Sequence, residues 1–469
     1  MAEFDLAVVG AGAAGLSVTA VAAQLGARIV LIERGRMGGD CLNYGCVPSK
    51  ALLAAGHASE EARRAGRFGI GLPAPVINWE SVQAHVQGVI QAIAPADSAA
   101  RFRALGATVI AGEARFAGPA ELAVGDERIR ARRIVIAAGS EPAIPPIRGL
   151  TEAGFLTNET IFGLPERPAH LVVLGGGPAG LEMADAHSAL GSHVTVIEAG
   201  QIAAKEDPEL ADGLRRALVG RGVVLREDTR VEAVEGGPSL LLSGGARIAG
   251  THLLVATGRR PRLEALNLEA GQVRATKSGI ATDRGLRSVT NRRVYAVGDI
   301  ADPEGIGPRA FTHAASYHAG IVIRRTLFHL PASIDYGALP RVTYTQPELA
   351  QAGLTEAEAR ARGRSIQILR WPIADTDRAQ AEQSPDGLVK LVVERGRVIG
   401  AGILAPHAGE MITAWVLAIA RRVPVSALAG LIVPYPTLSE AGKRAAQSLY
   451  APRLFSPRTK ALVQVLRRF

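Results

Sequence analysis

The sequence predicts an α/β protein: two Rossmann-type dinucleotide-binding domains followed by a C-terminal α+β domain. Three observations carry that prediction. A glycine fingerprint closing a strand and opening a helix occurs twice, as GAGAAG (Gly10–Gly15) and GGGPAG (Gly175–Gly180). In both copies a glutamate that ends the next strand, Glu33 or Glu198, stands 23 positions after the first glycine. From about Pro340 the chain alternates strands and helices with no third fingerprint. A chain of 469 residues exceeds one ordinary core and fits two to four domains.

The elements follow in order. Phe4–Val9 reads as a strand, Leu16–Leu25 as a helix and Arg28–Ile32 as a second strand. The pattern returns with Leu171–Leu174, a helix through Leu190, and His193–Ile197. Each copy later has a strand ending in a small-residue turn, IVIAAG (Ile134–Gly139) and LLVATG (Leu253–Gly258). VYAVGD (Val294–Asp299) is a strand ending in an acid. Beyond it, strands are expected at Arg341–Thr345, Ile366–Trp371, Gly387–Glu394 and Arg397–Leu404, with helices at Glu410–Arg421 and Ser439–Ser448.

Composition narrows the function classes. Nearly half the residues are apolar and 53 are glycine, which suits a globular α/β protein with many tight turns. The net charge of +9 comes from Lys and Arg spread among Asp and Glu, so a solvated basic surface is expected rather than a nucleic-acid footprint. No basic n-region precedes the first strand, and apolar runs such as Met411–Ala420 are far shorter than a bilayer span. A soluble cytoplasmic protein is expected, in which two nearby cysteines are more readily catalytic or metal-binding than a permanent bridge.

The fingerprints have the context that dinucleotide binding needs. Gly10 and Gly175 permit the tight turn, Gly12 and Gly177 let backbone amides approach a pyrophosphate, and Gly15 and Gly180 let the helix pack on the sheet. The helix N-terminus favours the phosphates, and Glu33 and Glu198 can accept from a ribose diol. A carboxylate at 198 repels a 2′-phosphate and no Arg pair follows it, which favours NAD(H) over NADP(H).

GGDCLNYGCVPSK (Gly38–Lys50) is the more specific signal. Cys41 and Cys46 could be half of a zinc site, but no further Cys or His stands at suitable spacing, and no metal is expected. An inert buried pair is the other alternative. Against both, Cys46 precedes Val47-Pro48-Ser49, and Pro48 suits the first turn of a helix. A thiolate there gains from the helix terminus.

With these motifs in order, together with Glu182, ATGRRP and VYAVGD, nearly the whole chain resembles the pyridine nucleotide-disulfide oxidoreductases. That family includes dihydrolipoamide dehydrogenase, glutathione reductase and mercuric reductase. The resemblance implies FAD in the first module, held by Gly10, Gly12, Gly15, Glu33, Gly39, Lys50, Gly139 and Asp299. Asp299 would bond the ribityl chain, and a helix starting near Ala310 would point its N-terminus at the isoalloxazine. NAD would lie in the second module at Gly175, Gly177, Gly180, Glu198 and Gly258. Cys46 is implied as the charge-transfer thiol, Cys41 as the interchange thiol, and Lys50 and Glu182 as a pair beside the flavin's reactive nitrogen. The C-terminal domain is implied as the interface of a homodimer. The corresponding division is residues 1–145 for FAD, 146–275 for NAD, 276–340 returning to the FAD domain, and 341–469 for dimerisation.

The chain departs from the family at several positions. Disulfide-reducing members carry His-Pro-Thr followed by a Glu; here Glu440 is kept but Tyr435 stands where the histidine belongs. A phenol titrates near pH 10 and is a poor base at neutrality, which argues against rapid exchange with lipoamide. Mercuric reductases resemble the chain at Tyr435 and at FTHAASYHAG (Phe311–Gly320), yet they deliver metal through a C-terminal cysteine pair, and this sequence has two cysteines in all. Asp40 replaces the Thr common before the first cysteine. It either disfavours the Cys41 thiolate or is an exposed acid of little influence. His313 and His318 are expected as ordinary helix residues, His407 as an interface residue, and Tyr435–Pro436 as a candidate cis bond.

The expected activity is electron passage between nicotinamide, FAD and the Cys41–Cys46 pair, to or from a disulfide, dithiol or Hg(II)-like substrate. One alternative is an NADH:quinone or oxidase-type flavoenzyme at the membrane. Another is a regulatory flavoprotein subunit with little turnover. The tail Thr459–Phe469 places Leu462, Val465, Leu466 and Phe469 on one helical face among basic residues. That face either packs on the protein's own surface or makes peripheral membrane contact.

Overall fold

The computed structural model describes residues 3–469, which form two compact units. The first comprises residues up to Ala54, Ile77–Arg167 and Leu253–Ile334, and the second comprises Ala55–Val76, Pro168–His252 and Asp335–Phe469.

The first unit is built on a seven-stranded sheet. Four parallel strands run in the order Thr108–Ala111, Ile29–Glu33, Phe4–Val9 and Glu127–Ile136, and Val294–Ala296 adds in parallel to the last. Glu121–Val124 and Ala114–Gly118 extend it as an antiparallel meander. Leu6, Ala7 and Val8 are wholly buried, as the near-continuous apolar run of a strand covered on both faces requires. Helices Ala13–Gln24 and Thr312–Thr326 pack on each other, and both begin near the carboxyl ends of sheet strands, where α/β folds place ligands.

The second unit combines parallel strands His170–Leu174, His193–Ile197 and Val224–Arg226 with an antiparallel five-stranded sheet. The latter runs Pro340–Thr343, Glu348–Gly353, Arg397–Ala405, Leu388–Glu394 and Gln367–Pro372. The strand Glu348–Gly353 is absent from the sequence reading, because ELAQAG lacks the β-branched residues that mark strands. Its small Ala350 and Ala352 are wholly buried and let helix Ala408–Ala420 pack closely on the sheet. Ile403, Ala405, Ile412, Trp415 and Ala445 complete this core.

The expected elements are found with end shifts of a few residues. The first helix starts at Ala13, directly after Gly12, and the strand expected at Ile134 starts at Glu127. No described helix is long and apolar enough to cross a membrane. The tail helix runs Pro457–Leu466, short of the expected Phe469, and none of its residues is buried. Of the two readings of its apolar face, packing on the chain's own surface is not seen, with Leu462 56% and Leu466 58% exposed.

Candidate active site

In the first unit the strand Phe4–Val9 leads into a turn that only glycine fits. Gly10 has φ +104°, and a Cβ there would meet the Ala137 carbonyl oxygen at 2.4 Å. A Cβ on Gly15 would lie 1.9 Å from the Gly10 oxygen, so the helix can approach this closely only without one. No side chain caps the helix at Gly12, leaving first-turn N–H groups to serve an anionic ligand. The Glu33 carboxylate accepts from the N–H groups of Ala11 (2.5 Å) and Gly35 (2.8 Å), which fixes it at the end of its strand. The Gly38–Gly39 segment runs against the same turn: a Cβ on Gly39 would lie 2.6 Å from the Gly12 Cα. Uncapped amides, a glycine-lined approach and a fixed carboxylate are the donor set a dinucleotide such as FAD requires.

Asp299 follows Gly298 in the turn after Val294–Ala296 and accepts from the Ser140 hydroxyl at 2.6 Å. Burial raises its pKa against the opposing pull of Ser140 and Arg259. His318, read from sequence as an ordinary helix residue, is buried, and its Nδ1 accepts the Gly298 N–H at 3.0 Å. Burial lowers its pKa to about 4, so it stays neutral and holds the Asp299 turn.

The cysteines lie on consecutive helices. Cys41 is in Gly39–Tyr44, and Cys46 opens Cys46–Arg64 with Pro48 in the first turn, as expected. They stand as two thiols, with no disulfide between them. Hydrogen bonding to Cys46, then burial, pushes the Cys41 thiol strongly up. Cys46 Sγ lies 3.3 Å from Thr312 Oγ1, at the start of helix Thr312–Thr326. That contact spans 266 positions, and the sequence signalled only a helix start nearby. The sequence reading gives no role to Asn158 or Arg259, which contact the turn between the cysteines, or to Ser140, which links Arg259 to Asp299.

The second unit repeats the turn. Gly175 has φ +117°, and a Cβ on Gly180 would lie 2.0 Å from the Gly175 oxygen. Helix Pro178–Ala189 starts uncapped by any side chain. Around Gly177 a Cβ would meet nothing within 4 Å, leaving room for a ligand. Glu198 accepts from the N–H groups of Gly176 (2.7 Å) and Gly200 (3.0 Å). Arg215, in helix Pro208–Gly220, is committed to Glu227, Asp212 and Gln201. Gly139 and Gly258 both take left-handed φ values, +67° and +135°.

Lys50 Nζ donates to Ser49 Oγ at 3.4 Å in the first unit, and Glu182 Oε1 accepts the Tyr344 N–H at 3.1 Å in the second. Tyr435 is 69% exposed, its hydroxyl donates to the Asp377 carboxylate, and Tyr435–Pro436 is cis. Asp377 raises the phenol's pKa. Glu440 begins helix Glu440–Ser448. Among the described residues, no group of three or more His, Cys, Asp or Glu is arranged to hold a metal ion.

Residues 4–321 match the pyridine nucleotide-disulphide oxidoreductase family and residues 339–446 match its dimerisation domain. The chain belongs to this family. Mercuric reductase of Streptomyces lividans is 36% identical over 464 residues, covering 95% of this chain and 96% of that one. Dihydrolipoyl dehydrogenase of Thermus scotoductus is 35% identical over 468 residues, covering 96% and 98%. Among solved structures, the flavoprotein disulfide reductase RclA of Escherichia coli superposes with a TM-score of 0.84 at 27% identity, covering 95% of this chain and 99% of that one. As a member of this family the protein is an FAD-dependent oxidoreductase that uses a pyridine nucleotide and a disulfide redox centre.

Proposed function

We propose that Cys41 and Cys46 pass electrons between NADH and a disulfide or soft-metal substrate in a homodimeric enzyme. The observation that carries this reading is the pair itself: two thiols five positions apart on consecutive helices, one of them opening a 19-residue helix beside Thr312. Bound FAD would supply what the side chains lack, accepting hydride from nicotinamide and relaying two electrons to the cysteines. Gly10, Gly12, Gly15, Glu33, Gly39, Gly139 and Asp299 would hold it, with Lys50 and Glu182 as charged residues acting near its reactive nitrogen. Gly175, Gly177, Gly180, Glu198 and Gly258 would bind the nicotinamide dinucleotide. The fixed Glu198 carboxylate, with Arg215 engaged elsewhere, supports NADH over NADPH.

In disulfide reduction Cys41 attacks a substrate sulfur and displaces the other as a thiolate; Cys46 then attacks Cys41 Sγ, releasing the second thiol and closing the protein disulfide. Tyr435 and Glu440 occupy the positions of the family's histidine and glutamate, and Tyr435, held by Asp377, would donate a hydrogen bond rather than act as a base. The assignment of residues 1–145 and 276–340 to FAD, 146–275 to NAD and 341–469 to dimerisation belongs to the same reading. Ile432, 98% exposed in the single chain, supports an apolar contact surface in the last of these.

The test is anaerobic NADH oxidation by wild type and Cys41→Ser, with lipoamide, Hg(II) and a soluble quinone offered in parallel. Loss of turnover in the variant with one acceptor establishes the dithiol route and identifies that acceptor. Equal turnover in both proteins refutes the route and supports the second reading, in which flavin alone reduces a quinone. Tyr435, kept protonated at neutral pH by its hydrogen bond to Asp377 and so unable to act as a base, is the observation favouring that second reading.

A further inference from the structure

The turn between the two cysteines is clamped by a carboxylate. Asp40 stands directly before Cys41 in the first turn of helix Gly39–Tyr44. Its Oδ1 accepts from Asn158 Nδ2 at 3.0 Å and lies 3.2 Å from Arg259 Nη2. The same Asn158 Nδ2 donates to the Tyr44 carbonyl at 3.1 Å, so one amide ties both ends of the segment joining the cysteines. The Asp40 carboxylate also lies against Gly45, the residue before Cys46: a Cβ built there would sit 3.1 Å from Oδ2. Arg259 in turn donates to the Ser140 hydroxyl at 2.7 Å and to its carbonyl at 2.9 Å, and that hydroxyl donates to Asp299. A charged chain therefore runs from the cysteine turn to the Asp299 turn.

We propose that Asp40 is a positioning residue that holds the turn between Cys41 and Cys46 and sets the disulfide–dithiol balance of the pair. This rests on the redox role assigned to the cysteines above. Reduction converts an uncharged disulfide into a pair of thiols of which one ionises readily, because a shared proton stabilises the anion of the other. A fixed negative charge adjacent in sequence to one sulfur, and packed against the residue before the second, opposes that ionisation. Arg259 moderates the effect by sharing its charge between Asp40 and the Ser140–Asp299 arm. Asp40 thus biases the pair toward the disulfide, making the dithiol the stronger reductant.

The experiment equilibrates the holoenzyme anaerobically in dithiothreitol buffers of graded oxidation, then quenches with acid, alkylates and reads the oxidised fraction by mass. In each exchange the protein S–S bond breaks as dithiothreitol closes its cyclic disulfide, with two electrons and two hydrogens passing to the cysteines. Asp40→Asn keeps the shape and the Asn158 contact but removes the charge. It should move the equilibrium roughly three- to tenfold toward the dithiol, tenfold being about 30 mV for this two-electron couple. Asp40→Glu should stay within about twofold of wild type, and Arg259→Gln should move the balance the opposite way. Flavin content and unfolding temperature are read for each protein, and Arg259→Gln provides an independent arm should Asp40→Asn fold poorly. An unshifted constant in Asp40→Asn, an unshifted constant in Arg259→Gln, or equal shifts in Asp40→Asn and Asp40→Glu overturns the proposal. A wild type that never forms the disulfide overturns the redox role of the pair itself, and this inference with it.

Discussion

Lys390 offers the sharpest test of how the second unit is held together. Its side chain is 5% exposed within strand Leu388–Glu394, yet Nζ lies 2.9 Å from each of three carboxylates, Asp207, Glu209 and Glu356. Burial alone would lower the ammonium's pKa, but the hydrogen bonds to Asp207, Glu356 and Glu209 outweigh it and the net shift is upward. Asp207 is itself 3% exposed and caps helix Pro208–Gly220, accepting from the Glu209 N–H at 3.0 Å. The cluster thus joins helix Pro208–Gly220 to the C-terminal sheet.

Lys390→Met keeps the apolar stem and removes the charge, leaving Asp207 buried without a cation. Breaking a buried pair in this way costs about 3–5 kcal/mol. Glu209→Gln removes a carboxylate that is 39% exposed and should cost at most about 1 kcal/mol. For a cooperative unit of this size each kcal/mol lowers Tm by roughly 2 °C, so the losses should be about 6–10 °C and at most about 2 °C. Thermal unfolding of the holoenzyme at fixed scan rate, followed by circular dichroism, measures both. The pH window follows from the shifts: Lys390's contribution is present below its unfolded value and disappears as pH rises through the raised folded one. Glu209 and Glu356, both lowered, contribute above their unfolded values and lose that contribution as pH falls. A Lys390→Met protein within 2 °C of wild type (about 1 kcal/mol), or a Glu209→Gln protein that loses as much, would refute the idea that a buried charge cluster secures this junction.

Three further outcomes are expected. Wild type should prefer NADH over NADPH by roughly 30- to 100-fold in kcat/KM, since charges about 4 Å apart at a protein surface interact by one to a few kcal/mol; Glu198→Ala should cut the ratio below about fivefold, and a wild type that accepts both equally would remove Glu198 from selectivity. Because His318 has its folded pKa lowered to about 4, protonation is disfavoured in the native state and stability should fall by about 3 kcal/mol as pH drops from 6.5 to 4. His318→Asn, which can still accept the Gly298 N–H, should lose that slope in denaturant titrations at stepped pH, and an unaltered slope assigns it to other groups. For Tyr435, Asp377 holds the phenol's pKa above its usual value, so Asp377→Asn should move the phenolate absorbance near 295 nm to lower pH while Tyr435→Phe abolishes that component.

What the sequence made legible was local. Both fingerprints, the equal spacing to Glu33 and Glu198, and the Cys41–Cys46 motif each depend on residues within one strand–turn–helix, where glycine sterics and helix starts leave a direct trace. Helix Trp79–Ile93 was legible too, with Asn78 capping it by accepting from Ser81 N–H, but the reading passed over its amphipathic pattern. Other features had no local signal. Lys390 reads as one polar residue in an apolar strand until three acids from distant segments surround it. Asp40 looked like an exposed acid as plausibly as a functional one. Asn158 and Arg259, 118 and 219 positions further on, settle that it is engaged. Strand Glu348–Gly353 escaped notice because its alanines are chosen for a close helix above them rather than for strand propensity.

The proton inventory narrows the acceptors worth testing. Cys41 is pushed far above the usual thiol range by Cys46 and burial, and Tyr435 is pushed up by Asp377. Both groups therefore keep their protons at neutral pH, and neither serves there as a base. Disulfide substrates need a base to free the attacking thiolate, and the position where the family keeps a histidine offers a phenol instead. Soft metal ions meet no such obstacle, because binding to sulfur itself expels the thiol proton. If Asp40 makes the dithiol a stronger reductant while Tyr435 withholds base catalysis, the chain sacrifices rapid exchange for driving force. That combination suits an acceptor that ionises the thiols on arrival better than one that waits for them to ionise, so Hg(II) and comparable thiophilic ions belong beside lipoamide in the first assays.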